Sequence, residues 1–166
     1  MRYVTEGNVL HLKNVISKRT IIYNNEMDDI IIKMKNYIQG FNAAVTRIVT
    51  VTKGLNFETG KQRLDMEFLL ESDQPVKGNN LYRYIPKYEL TNCVKSIYKG
   101  LSNNANIATR EAQSYIKTKE LNPIGPTHQV IIIDLKKEKK NKKLKLKNKN
   151  MKNDNFVNLE VYIKID

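Results

Sequence analysis

NVISKRTIIYNNEMDDIIIKMKNYIQG, residues 14–40, changes its apolar period once, and that change decides the fold. Its first part, NVISKRTIIY (14–23), is rich in β-branched residues and reads as a strand. Beyond it, Met27, Ile30, Ile31, Met34 and Ile38 recur at helical spacing. Asn24 and Asn25 are expected to cap this helix, Glu26, Asp28 and Asp29 suit its positive end, and Gly40 stands where it should stop. AVTRIVTVT (44–52) and RLDMEFLLES (63–72), joined by a turn around KGLNFETGK, then read as a hairpin. Alternation sets Leu64, Met66, Phe68 and Leu70 on one face of the second strand and Asp65 and Glu67 on the other.

The same order recurs downstream. LYRYIP and YELTNCVKSIYK, within 81–99, look extended, and a second helix follows the cap candidates Ser102, Asn103 and Asn104. Ala108, Ala112, Tyr115 and Ile116 form its narrower apolar stripe, and NPIGP (122–126) ends it. HQVIIIDL (128–135) and FVNLEVYIKI (156–165) are strands, the latter alternating through Val157, Leu159, Val161, Ile163 and Ile165. Sliding the chain by 78 residues lays Asn14 on Asn92 and Tyr37-Ile38 on Tyr115-Ile116, whereas DMEF (65–68) meets NLEV (158–161) at 93, with Glu67 over Glu160. The extra residues of the second copy are expected to fall partly around NPIGP and mostly in KKEKKNKKLKLKNKNMK (136–152), making 136–155 an enlarged hairpin loop. The expected fold class is α+β. One domain, 1–166, would hold two pseudo-symmetric strand–helix–strand–strand repeats, about 8–73 and 81–166.

The formal net charge of +12 is concentrated: residues 136–154 hold ten Lys against Glu138 and Asp154, two thirds of the excess. Flexible lysines attract phosphate or other anions in a salt-sensitive way. The run has no arginine to fork onto a base and no aromatic to stack on one, so only weak, nonspecific anion or nucleic-acid contact is expected of it. Cys93 has no partner for an internal disulfide and no paired spacing for zinc. No signal-peptide stretch or eighteen-residue apolar run occurs, which leads us to expect a cytoplasmic chain without a membrane span.

His11 and His128 are the only histidines, and no HExxH, GxSxG or Gly-rich phosphate loop is present, so neither catalysis, a cofactor nor a metal is expected. Glu67 and Glu160, equivalent in the two copies, leave two readings open: carboxylates facing a shared cavity, or the plainer one, residues on the solvated face of an edge-accessible sheet. Tyr82, Tyr84, Tyr98, Tyr115 and Tyr162 divide in the same way between pocket lining and ordinary core.

The duplicated order, the YI…GP…strand unit and the closing LEVYIKI resemble the GyrI-like family, the effector-binding domains also found at the C-terminus of BmrR-type regulators. That resemblance implies a pseudo-symmetric α+β domain with a ligand cleft between its halves, lined by aromatics and a glutamate. Glu67, Tyr84, Tyr98, Tyr115, Gln129, Glu160 and Tyr162 are the candidate ligand-binding residues. The family glutamate follows GP as GP-x-x-E-x-Y; here GPTHQVI puts Gln129 at the glutamate and Ile131 at the tyrosine, which argues against cationic ligands. No DNA-binding helix-turn-helix precedes the domain, so a complete one-chain regulator is not expected. The stretch from NVISKRTIIYNNEMDDII to MEFLLESDQPV is also similar to a small uncharacterised Gram-positive family associated with type VII secretion and LXG toxin loci. That likeness implies an accessory protein, a chaperone, adaptor or immunity-like partner of another protein. A stand-alone domain that senses or sequesters a small molecule is the alternative.

Overall fold

The computed structural model describes residues 3–58, 60–136 and 156–166. The lysine-rich insertion lies outside them, apart from Lys136. In chain order the elements are β1 (Tyr3–Ile22), α1 (Met27–Gln39), β2 (Val45–Glu58), β3 (Lys61–Ser72), β4 (Arg83–Leu101), α2 (Asn106–Thr118), β5 (His128–Ile132) and β6 (Phe156–Lys164). All neighbouring strands pair antiparallel, and the order β1-β3-β2-β5-β6-β4 closes into a barrel. The fold is thus α+β, with the strand–helix–strand–strand order present twice.

The ladder registers make the duplication geometrical. His11 pairs with Glu89, its own equivalent at offset 78, and Thr50 pairs with Gln129, its equivalent at 79. A pseudo-two-fold axis therefore passes through both seams where the copies meet. Val15 faces Glu71 in the first copy and Cys93 faces Lys164 in the second, which reproduces the 78 and 93 residue offsets across the β1–β3 and β4–β6 pairs. The stretch around NPIGP absorbs only the single step from 78 to 79. The remaining step to 93 falls between β5 and β6.

Asn14 and Asn92, superposed by the repeat, both adopt φ 54°. Each is a left-handed residue within a long strand, a conformation Asn tolerates better than most residues, and the inward-facing parity changes across each. Leu10 and Leu12 point into the barrel before Asn14, and Val15 does so after it. Two local expectations change. Asn24 and Asn25 do not cap α1 through their side chains; Asn24–Glu26 form a 3-10 turn ahead of it, as Ser102–Asn104 do ahead of α2. The first strand also begins at Tyr3 rather than near residue 14, and 81–99 belongs mostly to one continuous strand.

Both helices lie on the outer surface of the barrel. Met34 and Ile38 of α1 pack on Met66, Phe68 and Leu70, with Met27, Ile30, Ile31 and Leu64 at the margin. Ala108, Ala112 and Ile116 of α2 pack on Leu159, Val161, Ile163 and Ile165, with Tyr115 beside them. Burial of each larger side chain contributes about 1.5–3 kcal/mol before entropy is counted. Covering the outer apolar faces this way leaves the intervening residues of every strand turned inward.

Candidate functional site

On β3 the residues between the α1-facing positions are Asp65, Glu67, Leu69 and Glu71, and on β6 those between the α2-facing positions include Glu160 and Tyr162. Leu69 and Tyr162 join Leu10, Leu12, Val15, Val49, Val51, Cys93 and Val130 in a cluster drawn from all six strands, which is the barrel interior. Its centre is filled by side chains. Charged and aromatic groups surround that apolar centre on the same inner face.

Lys95 Nζ donates to Glu160 Oε2 at 2.7 Å and lies 5.5 Å from the centroid of the Tyr162 ring. Burial disfavours the Lys95 ammonium, yet the bond and charge of Glu160 outweigh it and raise its pKa. Burial, followed by the Glu160 charge, pushes the Tyr162 phenol up. In the other copy Lys53 Nζ stands 3.5 Å from Glu67 Oε2. A third pair, Arg47 and Glu71, is two-pronged: Nε and Nη2 each donate at 2.7 Å to separate carboxylate oxygens. These oxygens also accept from Lys13 N at 2.9 Å and from the Thr46 hydroxyl at 2.7 Å.

Across the interior, Tyr88 of β4 reaches His128 of β5, with 2.8 Å between the hydroxyl and Nε2. His128 Nδ1 lies 3.1 Å from the Pro126 carbonyl, which can only accept. Nδ1 therefore carries the proton, and neutral Nε2 accepts from Tyr88. Burial is the main cause that lowers the His128 pKa; Lys53 adds to it, and the Pro126 carbonyl and Glu67 oppose it. Burial and the Glu67 charge raise the Tyr88 pKa.

A histidine held below its unfolded value binds fewer protons folded than unfolded, so stability falls as pH drops below about 6.5, by up to about 1.4 kcal/mol per unit until the folded pKa is passed. His128→Gln should abolish this part of the slope. Urea titrations of both proteins at about pH 7.5 and 5.5 check it, because the carboxylates contribute mainly at lower pH; parallel slopes would contradict the assignment.

Of the candidate residues, Glu67, Glu160 and Tyr162 meet on the inner face. The other four do not join them, because strand alternation turns them outward or places them on a helix. Tyr84 donates to Asn14 Oδ1 at 2.8 Å and packs on the α1 side, and Tyr98 donates to the Leu101 carbonyl at 2.8 Å on the α2 side. Tyr115 donates to Glu6 Oε1 at 2.6 Å, and Gln129 donates to Thr109 Oγ1 of α2 at 3.2 Å. Beside Gln129, the inward position after the GP pair is His128. The solvated-sheet reading of Glu67 and Glu160 gives way, since closure of the sheet encloses the face it assumed open. Lys53, Lys95, Arg47, Glu71, Tyr88 and His128 were not among the candidates. The one signal for them is that each shares the strand parity of an inward Leu or Val or, for Lys95, of the inward Cys93.

A groove of about 450 Å³ lies outside the barrel, between the end of α2 and the following loop, with Ile116, Leu121, Pro123 and Ile163 among its lining and Gln113 and Lys117 at its rim. None of the seven candidates lines it. Among the described residues, no group of three or more His, Cys, Asp or Glu could hold a metal, and no helix is long and apolar enough to cross a membrane.

No protein-family model matches the chain, and no curated protein does. Solved structures do. The EcmrR C-terminal domain superposes with TM-score 0.61 at 14% identity, covering all of this chain and 97% of that one. EcmrR in its DNA complex within EcmrR-RPo gives TM-score 0.64 at 13% identity, again over the whole chain, which spans 57% of the longer EcmrR chain. The chain therefore has the GyrI-like α+β fold of the EcmrR C-terminal domain, built from two pseudo-symmetric strand–helix–strand–strand repeats.

Proposed function

We propose that this protein is a non-enzymatic small-molecule-binding module whose ligand binds between the repeats at the charged and aromatic groups that surround the packed centre of the barrel's inner face. The observation that carries the proposal is the convergence of Glu67, Tyr88, His128, Glu160 and Tyr162 on one enclosed face, around a centre of apolar side chains. Few polar groups set in an apolar enclosure are the usual composition of a ligand site. The fold shared with the EcmrR C-terminal domain supports the same reading. A binding role is favoured over catalysis because a phenol and a backbone carbonyl occupy both ring nitrogens of the enclosed histidine, and burial raises the Tyr88 pKa, which keeps that phenol protonated. The accessory role at a secretion locus rests on segment likeness alone, and no observation here favours it.

The test is a thermal-shift screen of aromatic compounds that are cationic, anionic and neutral, followed by the same screen on Tyr162→Ala. A ligand at 100 times its Kd stabilises by about 2.7 kcal/mol, a readily measured shift. We expect hits that disappear in Tyr162→Ala. No hit in any charge class would count against the proposal, as would hits that the variant retains.

A further inference from the structure

We propose that Lys53 and Lys95 are built-in counter-ions of the inner-face glutamates and set the ligand class of the site, which takes uncharged aromatic molecules and rejects cations. This rests on the ligand-binding reading above. Lys95 makes both contacts that an ammonium ligand would seek there, a charge-assisted bond to Glu160 at 2.7 Å and a position 5.5 Å from the Tyr162 ring centroid. In each pair the acid is the deeper member: the side chains of Glu160 and Glu67 are 12% and 17% exposed, their lysines 23% and 28%. The lysines thus cover the carboxylates from the solvent side.

The two lysines are not copies of one ancestral residue. Glu67 and Glu160 are equivalents at offset 93, but Lys95 is equivalent to Ser17 at 78, and Lys53 is equivalent to Ile132 at 79. Each half supplies a counter-ion from a different strand, β2 in one and β4 in the other. With Arg47 held by Glu71, all three of these inward carboxylates have a cation of their own chain. An incoming cation would have to displace a tethered ammonium, whose effective concentration is on the order of millimolar even on a flexible link. A neutral ring need not displace either ammonium from its carboxylate and has the Tyr88 ring and the His128–Tyr88 pair beside the apolar centre to contact.

The test measures binding of Nile red, a neutral dye, and tetraphenylphosphonium, a lipophilic cation, to the wild type, Lys95→Met, Lys53→Met, the double variant and Lys95→Arg, each first checked for folding by circular dichroism. We expect the wild type to bind Nile red and to bind tetraphenylphosphonium at least tenfold more weakly. The methionine variants should gain tenfold or more for the cation, and Lys95→Arg should not. Wild-type preference for tetraphenylphosphonium, a comparison that needs no variant, would overturn the charge assignment alone. So would well-folded methionine variants that gain nothing for the cation. Failure of every protein to bind either probe would overturn the ligand-binding reading together with it.

Discussion

Replacing Glu71 by alanine is expected to lower the unfolding free energy by about 3–5 kcal/mol, the cost of stranding one partner of a largely buried ion pair. Glu71 lies on β3 and joins three strands: it accepts from Lys13 N of β1 and from the Arg47 guanidinium and Thr46 hydroxyl of β2. Arg47 Nη2 also donates to the His11 carbonyl at 2.6 Å, so the guanidinium is committed on two sides and cannot swing out to water without losing both. Without the carboxylate, a partly buried cation, a backbone N–H and a hydroxyl all lose their acceptor. Glu71→Gln should cost less, because the amide oxygen still accepts. Acid should reproduce part of the effect. Burial alone would raise the Glu71 pKa, but Arg47, Lys13 N–H and Thr46 together hold it below the ordinary carboxylate value, so its contribution is present above about pH 4.5 and is lost as pH falls through the folded value. Urea unfolding at neutral pH is the measurement; a loss below about 1 kcal/mol for the alanine variant would mean that the pair is solvated and interchangeable with water.

What the sequence disclosed was the outer half of this architecture. Met66, Phe68 and Leu70, or Leu159, Val161 and Ile163, stand out because a strand face under a helix must be apolar at every second position. The inner face is harder to see, since it mixes Leu69 with Glu67 and Glu71, and Tyr162 with Glu160, a pattern that an open sheet would show toward water. Only closure distinguishes the two, and closure depends on β2 meeting β5 and β1 meeting β4, pairings between segments separated by most of a repeat. The first eleven residues of β1 are hard to read for a related reason: Glu6, Gly7 and Asn8 interrupt the pattern at the irregular part of its ladder with β4, and of the apolar residues there Leu10 and Leu12 are fully buried while Val4 is only half-buried. The GP motif points to Gln129, whereas strand parity sends Gln129 to Thr109 and turns His128 inward alongside Val130.

The two copies are filled differently beneath their helices, and that difference makes the second large prediction. Phe68 is fully buried under α1 among Met34, Ile38 and Met66. At offset 93 its equivalent is Val161, and at offset 78 the equivalents of Ile30 and Met34 are Ala108 and Ala112, so α2 meets its sheet through smaller side chains on both surfaces. Phe68→Ala removes the largest fully buried side chain from a space that its neighbours are too large and too constrained to refill, and should cost about 3–5 kcal/mol. Val161→Phe places the first copy's residue where the second has only the room left by two alanines, and should cost about 1–3 kcal/mol through overpacking. Val161→Phe makes the two copies identical at this position, yet it destabilises as Phe68→Ala does, because each helix is fitted to its own sheet. Urea unfolding followed at 222 nm reads both, with an unchanged m-value as the sign that the barrel itself persists. If Val161→Phe were neutral, α2 would be free to stand off from its sheet, and the fit between Ala108, Ala112 and Val161 would not be what positions that helix.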